Sequence, residues 1–537
     1  MSTLVSGIAP VATHKTAANG TPAAAPAMPN VQLNQADPIL LWNAVALEAN
    51  RVTHTNGVGE QAGPPLSARA LAIVHLAMYD AYAKVVGNPT ELPAYLPGLP
   101  DPNLGAAADL QVEAAAAVAG AAYKTLVTLF PSQTAFFDLV LNAVGDPSPA
   151  RRTFGEVVAQ RILDARNGDP GTETLGYKLS KARFHHRADP NNPGQVVHAP
   201  FYGAKARGFA ITNRHFIMEP PQGGPQYEAA LREVRARGIA PELMATLPPG
   251  VAGRTANETL RGIFWGYDGA AKLGTPPRFF NQIVRRIAIA RNNTPAQNAR
   301  LFALVNVAMA DAGMLAWDWK YVYDFWRPVV GVREHDVCMG PSTTVGSNTV
   351  SSDCDSAWLP LGAPATNSTG KNFTPPFPAY PSGHATFGAA SLHMVRLFYG
   401  VPVGDRNPDH CFQDANGAGL NIVSEEFNGV NQDNHGAVRP RHVRSFPDGL
   451  WQMIVENGLS RVDLGVHWVF DAFAVTQDAQ GNQVPDLTQP IGGVWLGLAI
   501  AEDIWQTHMH PSPVGPRSEE AIGSNWRTAV PYVPQGE

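Results

Sequence analysis

Three cysteines in 537 residues rule out a disulfide framework: Cys338, Cys354 and Cys411 allow a Cys338–Cys354 bridge or three reduced thiols, and nothing more elaborate. Charge is also sparse. Charged residues make up 16% of the chain, the net charge is −6 and there is no long basic run, which argues against nucleic acid or an anionic membrane as partner. The most apolar stretch, Val112 to Phe130, is Ala-rich and carries Glu113 and Lys124, so it reads as too polar and too short to span a bilayer. Residues 1–28 lack a basic start followed by an apolar core, and so resemble a flexible tail more than a cleaved signal. A soluble protein is expected. No internal repeat is visible. What remains is a chain with 45% hydrophobic residues, enough for a sizeable core.

Helical spacing of apolar residues dominates that core and predicts a mainly α fold with few short strands. Helices are expected over 36–51, 65–86, 104–129, 133–144 and 150–165 as a first bundle joined by short links. A long connection rich in Gly, Pro, Asn and His follows from 167 to 224. Further helices are expected over 226–237, 255–264, 277–291, 295–325, 384–399, 448–458, 468–475 and 493–506. The resulting division is a tail (1–35), an N-terminal bundle with its connection (36–225), a C-terminal bundle (226–510) and a loosely held tail (511–537). His185-His186 invites a metal reading, but adjacent side chains point apart and no matching Cys or carboxylate pattern follows, so packing or surface roles are expected.

The stretch Phe377-Pro-Ala-Tyr-Pro-Ser-Gly-His384 reads as an anion site. Pro381 rejects helix before it, Ser382 is a favoured N-cap, and the apolar run from His384 to Tyr399 is helical. The first amides of such a helix have no intrahelical partner, and Gly383 lets backbone approach a tetrahedral oxyanion closely. Lys320 and Arg327, seven residues apart, are two turns apart on a continuous helix and would share a face among many aromatic residues. Taken alone, such a pair is also what a solvated surface looks like. Arg461 and His467 would diverge by about 120° on one helix, so a break near Gly465 is expected. His467 and Asp471 are one turn apart, which lets the carboxylate orient the imidazole. Three permanent cations, two neutral donors and two histidines are costly to assemble without an anion between them.

The order Lys-x6-Arg-Pro, Pro-Ser-Gly-His and Ser-Arg-x5-His-x3-Asp resembles the superfamily that unites type-2 phosphatidic-acid-type acid phosphatases with vanadium-dependent haloperoxidases. Phe264-Trp-Gly-Tyr-Asp-Gly269, the segment Gly274 to Val284, Ser424 to Asn431 and Pro490-Ile-Gly-Gly493 are similar to the fungal vanadium chloroperoxidases. The resemblance implies two four-helix bundles with vanadate in the C-terminal one. It implies His467 as the vanadium ligand; Lys320, Arg327, Ser382, Gly383 and Arg461 as donors to the oxyanion; and His384 as acid–base residue. Lys320 would also polarise bound peroxide, Asp268 would pair with Arg461, and Trp317 and Phe377 would line the halide pocket, Phe377 favouring chloride. The partners implied are hydrogen peroxide, a halide and a small organic acceptor; a monomer and a homodimer are both compatible. An arginine-rich setting should hold the His384 pKa down. The same motifs are compatible with an acid phosphatase working through a phosphohistidine on His467, or with a protein that only stores oxyanions.

Overall fold

The structure is a computed structural model that describes residues 31, 35–103, 109–334, 355–409, 412, 419–479 and 483–518. All three cysteines and nearly all of the N-terminal tail therefore lie outside the described residues. Among the described residues fifteen α-helices follow in order: α1 (Pro38–Thr53), α2 (Pro64–Val86), α3 (Leu110–Leu129), α4 (Thr134–Val144), α5 (Pro149–Ala165), α6 (Tyr202–Lys205), α7 (Gly224–Arg237), α8 (Ala256–Phe264), α9 (Pro276–Ala290), α10 (Pro295–Tyr323), α11 (Pro328–Gly331), α12 (Gly383–Phe398), α13 (Gly449–Asp463), α14 (Val469–Ala472) and α15 (Gly492–Gln506). The strands are short and pair antiparallel, β1 (Leu420–Ile422) with β2 (Arg444–Phe446) and β3 (Ala474–Gln477) with β4 (Gln483–Asp486).

Many of these starts are written locally. Proline occupies the first turn of α1, α2, α5, α7, α9, α10 and α11, where its missing N–H costs nothing. Thr255 and Thr294 close reciprocal capping boxes with Glu258 and Gln297. α2 packs against α10 and against α3 and α5, while α12 packs against α15, α10, α13 and α9. Every residue of α12 from Gly383 to Leu397 is buried, so this helix forms the axis of its half. Glycines let α15 lie tightly on it: a Cβ at Gly497 would fall 2.4 Å from the Thr386 carbonyl.

Several expectations need correction. Residues 474–475 form strand β3, not helix, in keeping with the β-branched Val475 and Thr476. Helix α13 runs on through Gly458 to Asp463, because that glycine packs under Ala472 and ends nothing. By length and composition α3 is apolar enough to span a membrane after all, as is α10; the most apolar window of α10 is 94% buried in the protein's own core. Nor is the chain loose over the described residues 507–518: Ser512 N–H donates to Phe209 O at 2.9 Å, and Arg517 pairs with buried Asp318 at 2.7 Å. The long connection is irregular apart from α6. It is pinned by Asp311, whose carboxylate accepts the N–H groups of Phe209, Ala210 and Ile211 at 2.6, 2.8 and 3.0 Å.

Candidate active site

Lys320 and Arg327 do meet, though not along one helix face. α10 stops at Tyr323 because Asp324 adopts a left-handed conformation (φ 48°), and Arg327 is the N-cap residue of the separate turn α11. Both side chains converge on the 377–381 segment instead. The Lys320 ammonium donates to the carbonyls of Pro378, Ala379 and Pro381 at 2.9, 2.9 and 2.5 Å, which occupies all three of its N–H bonds. Arg327 donates through Nε to Phe377 O and through Nη1 to Val466 O, each at 2.8 Å. Two side chains and five backbone carbonyls, four of them from 377–381 and one from Val466, are thus tied into one wall.

The histidine after that wall is held by both nitrogens. Arg327 Nη1 lies 2.9 Å from His467 Nε2 and can only donate, so Nε2 carries the lone pair; Nδ1–H then donates to Asp471 Oδ2 at 2.7 Å. Gly465 supplies the break that brings His467 round to the arginines: its φ is +70°, and a Cβ there would collide with Gly238 O. Asp471 sits in the one-turn helix α14, and its backbone carbonyl accepts from Ser382 N–H at 2.8 Å, locking α14 to the start of α12. Burial, reinforced by Arg327 and Lys320, pushes the His467 pKa well down, so the imidazole stays neutral.

Ser382 caps α12, its Oγ 3.4 Å from Ala385 N, and the amides of the first helical turn have no intrahelical partner. Gly383 faces Trp317, where a Cβ would lie 3.2 Å from the indole ring. Trp317 and Phe377 stand with ring centroids 4.8 Å apart, and Lys320 Nζ lies 5.8 and 5.2 Å from the two rings. His384 Nε2 is 2.7 Å from Gly266 O; a carbonyl only accepts, so this nitrogen carries the proton and Nδ1 the lone pair. Burial is the first cause lowering the His384 pKa to about 4, with Arg461 second and Asp268 opposing. The arginine effect expected from the sequence is present but subordinate. Arg461 is clamped by Asp268, Nη2 to Oδ1 at 2.7 Å and Nη1 to Oδ2 at 3.1 Å.

Two donors stand out in this dense network. Arg327 Nη2 and Arg461 Nε are buried and without a hydrogen-bond partner. Leaving buried guanidinium N–H bonds unpaired costs about 1–3 kcal/mol each or more, which two arginines at one pocket would not sustain without an anion to receive them. Such cationic walls would repel a bare metal cation, and among the described residues no group of three or more His, Cys, Asp or Glu could hold one. His185 instead contacts Asp324 at 3.1 Å, and His186 is buried. The donor set fits a tetrahedral or trigonal oxyanion that also accepts one nitrogen ligand. An open cavity of about 630 Å³, lined in part by Asp189, Gln195, Gly269, Thr366 and Lys371, adjoins the Asp268 loop.

All eleven residues singled out in the sequence gather here. Sequence reasoning missed Gly266, whose contribution is a carbonyl, and Asn457, whose Nδ2 donates to His384 O at 2.7 Å. Asn457 was within reach, since it precedes Arg461 by one helical turn on the same face of α13.

Two family models match: one for the vanadium chloroperoxidase N-terminal domain over residues 28–208, and one for the second helical-bundle domain of that family over 300–490. The vanadium chloroperoxidase of Curvularia inaequalis is 38% identical, the alignment covering 88% of this chain and 90% of that one. Among solved structures, a bacterial vanadium-dependent iodoperoxidase matches with a TM-score of 0.57 at 17% identity, over 88% of this chain and 96% of the other. The apo form of a bacterial vanadium-dependent chloroperoxidase gives 0.55 at 16% identity, over 83% and 95%. At such identities these two speak for the fold alone.

Proposed function

Because the chain belongs to the vanadium chloroperoxidase family, we propose that it is a vanadate-dependent haloperoxidase, converting hydrogen peroxide, a halide and a proton into hypohalous acid and water. The observation that carries this reading is the pair of unpartnered guanidinium donors, Arg327 Nη2 and Arg461 Nε, beside a histidine whose Nε2 lone pair is held in place. His467 would ligate vanadium through that nitrogen once the Arg327 Nη1–H that it accepts here turns to a vanadate oxygen. Arg327, Arg461, the Ser382 hydroxyl and the Gly383 amide would hold the oxygens, with Lys320 adding charge and ordering the turn that presents them. Bound there, pentavalent vanadium supplies Lewis acidity that makes peroxide reactive towards halide.

The remaining chemistry belongs to the chain. His384, neutral above about pH 4, accepts a proton from incoming peroxide on Nδ1 while Gly266 O keeps Nε2–H in place. Fixed cations oppose the charge that develops on oxygen, and they do so without reorganising. Trp317 and Phe377 form the apolar side at which halide would lose its water; a phenyl ring there, and not an imidazole, favours chloride as well as bromide. Hypohalous acid then leaves and halogenates a small organic acceptor.

Reconstitution of metal-free protein decides the matter. Added vanadate should confer peroxide-dependent bromide and chloride oxidation, and phosphate should compete for the site. Phosphomonoester hydrolysis with no vanadate-dependent halide oxidation would overturn the reading.

A further inference from the structure

We propose that Glu426 is a positioning residue for His384 and acts through the peptide group that joins Gly266 to Tyr267. The carbonyl of this peptide accepts from His384 Nε2–H at 2.7 Å, and its N–H, on Tyr267, donates to Glu426 Oε1 at 3.3 Å. Both bonds fall on one planar unit, so the carboxyl and the imidazole are tied to its opposite edges and each polarises the bond made by the other. Glu426 is fully buried, and its other oxygen accepts from the Thr366 hydroxyl at 2.5 Å and from Arg439 Nη1 at 2.7 Å.

Local geometry explains why the carboxyl can lie over the peptide at all. A Cβ on residue 266 would sit 2.5 Å from Glu426 Oε1, so only glycine leaves the space. Tyr267 has a φ of +58°, unusual for a residue with a large side chain, and its ring stacks on Phe279 at 4.5 Å. Its hydroxyl accepts from Glu425 N–H at 2.9 Å and reaches Gln282 Oε1 at 3.2 Å. The ring is therefore anchored independently, and the peptide itself is gripped by Glu426. With Nε2–H fixed by this brace, Nδ1 is the nitrogen left to take a proton.

Burial pushes the Glu426 carboxyl up to about 7, Arg439 and Thr366 pulling the other way and Asp268 adding to the rise. The charged groups around it are thus Arg439 and Asp268; those around His384 are Arg461, Asp268 and Arg327. Above pH 7 the brace is a carboxylate, and below it a carboxylic acid that still accepts on one oxygen.

The inference rests on reading His384 as the proton-handling residue, but its test does not need turnover. In vanadate-free protein labelled with ¹⁵N-histidine, the His384 signals, recognised by their loss in His384→Ala, should report the Nε2–H tautomer. Glu426→Val should mix in the Nδ1–H form, whereas Glu426→Gln should match wild type below pH 7 and depart from it above. In vanadate-loaded enzyme, Glu426→Val should lower halide turnover roughly tenfold, yet cost nothing further in the His384→Ala background. An unchanged tautomer in Glu426→Val, or equal losses in both backgrounds, overturns the proposal. Should that variant fail to fold, Thr366→Val decides, with a smaller shift of the same sign expected and an unchanged tautomer contradicting it. Failure of the haloperoxidase reading would remove turnover but leave the tautomer result standing.

Discussion

His467 and His384 are both buried imidazoles in one pocket, yet they are held by opposite nitrogens. His467 keeps its proton on Nδ1 against a carboxylate and turns Nε2 towards the arginines; His384 keeps its proton on Nε2 against a backbone carbonyl and leaves Nδ1 open. A carboxylate at 2.7 Å makes the first imidazole electron-rich, as suits a permanent ligand. A neutral carbonyl orients the second and leaves its Nδ1 lone pair open; burial lowers the pKa of both rings, that of His384 to about 4, so both are neutral near pH 7 and the free Nδ1 is what suits His384 to the proposed proton transfer. On the proposed reading, the backing group, not the residue type, separates ligand from base.

The sharpest way to break this contrast is His467→Ala. It should abolish measurable vanadate binding in calorimetry and with it all halide oxidation, because His467 Nε2 is the nitrogen proposed to bond vanadium. His384→Ala should bind vanadate nearly as wild type does but lose roughly 10²–10³-fold in kcat. In the wild type, the His384 base form exists above its pKa, so kcat should fall as pH drops through about 4; that acid limb should vanish in the variant. Asp471→Ala removes the backing group of the ligand and should weaken vanadate binding about 10–100-fold, measured by titration, with kcat at saturation far less affected. The smallest effect belongs to Phe377→His, which adds a polar ring beside Trp317 and should move the chloride-to-bromide ratio towards bromide by a few-fold; an unchanged ratio would remove Phe377 from the account of halide choice.

Much of this arrangement was legible from local rules. Ser382 before an apolar run, proline at helix starts and Gly465 between Arg461 and His467 each act over a few residues, and the structure follows them. The errors came where a long-range contact overrode a local signal. Gly458 reads as a helix end but packs against Ala472, so α13 continues to carry Arg461. Seven-residue spacing placed Lys320 and Arg327 on one helix, whereas Asp324 ends that helix in a left-handed cap whose carboxylate is bonded by Tyr177 and His185, both from the irregular connection. The groups that set the His384 tautomer were hidden for a different reason: Gly266 contributes a carbonyl, and no side-chain pattern announces one.

The most direct test is anomalous diffraction at the vanadium edge from a vanadate-soaked crystal. The account predicts one strong peak within bonding distance of His467 Nε2, with Arg327 Nη2 and Arg461 Nε now donating to its oxygens and His384 Nδ1 facing it unligated. A peak bonded to His384, or one lying away from both arginines, would contradict it.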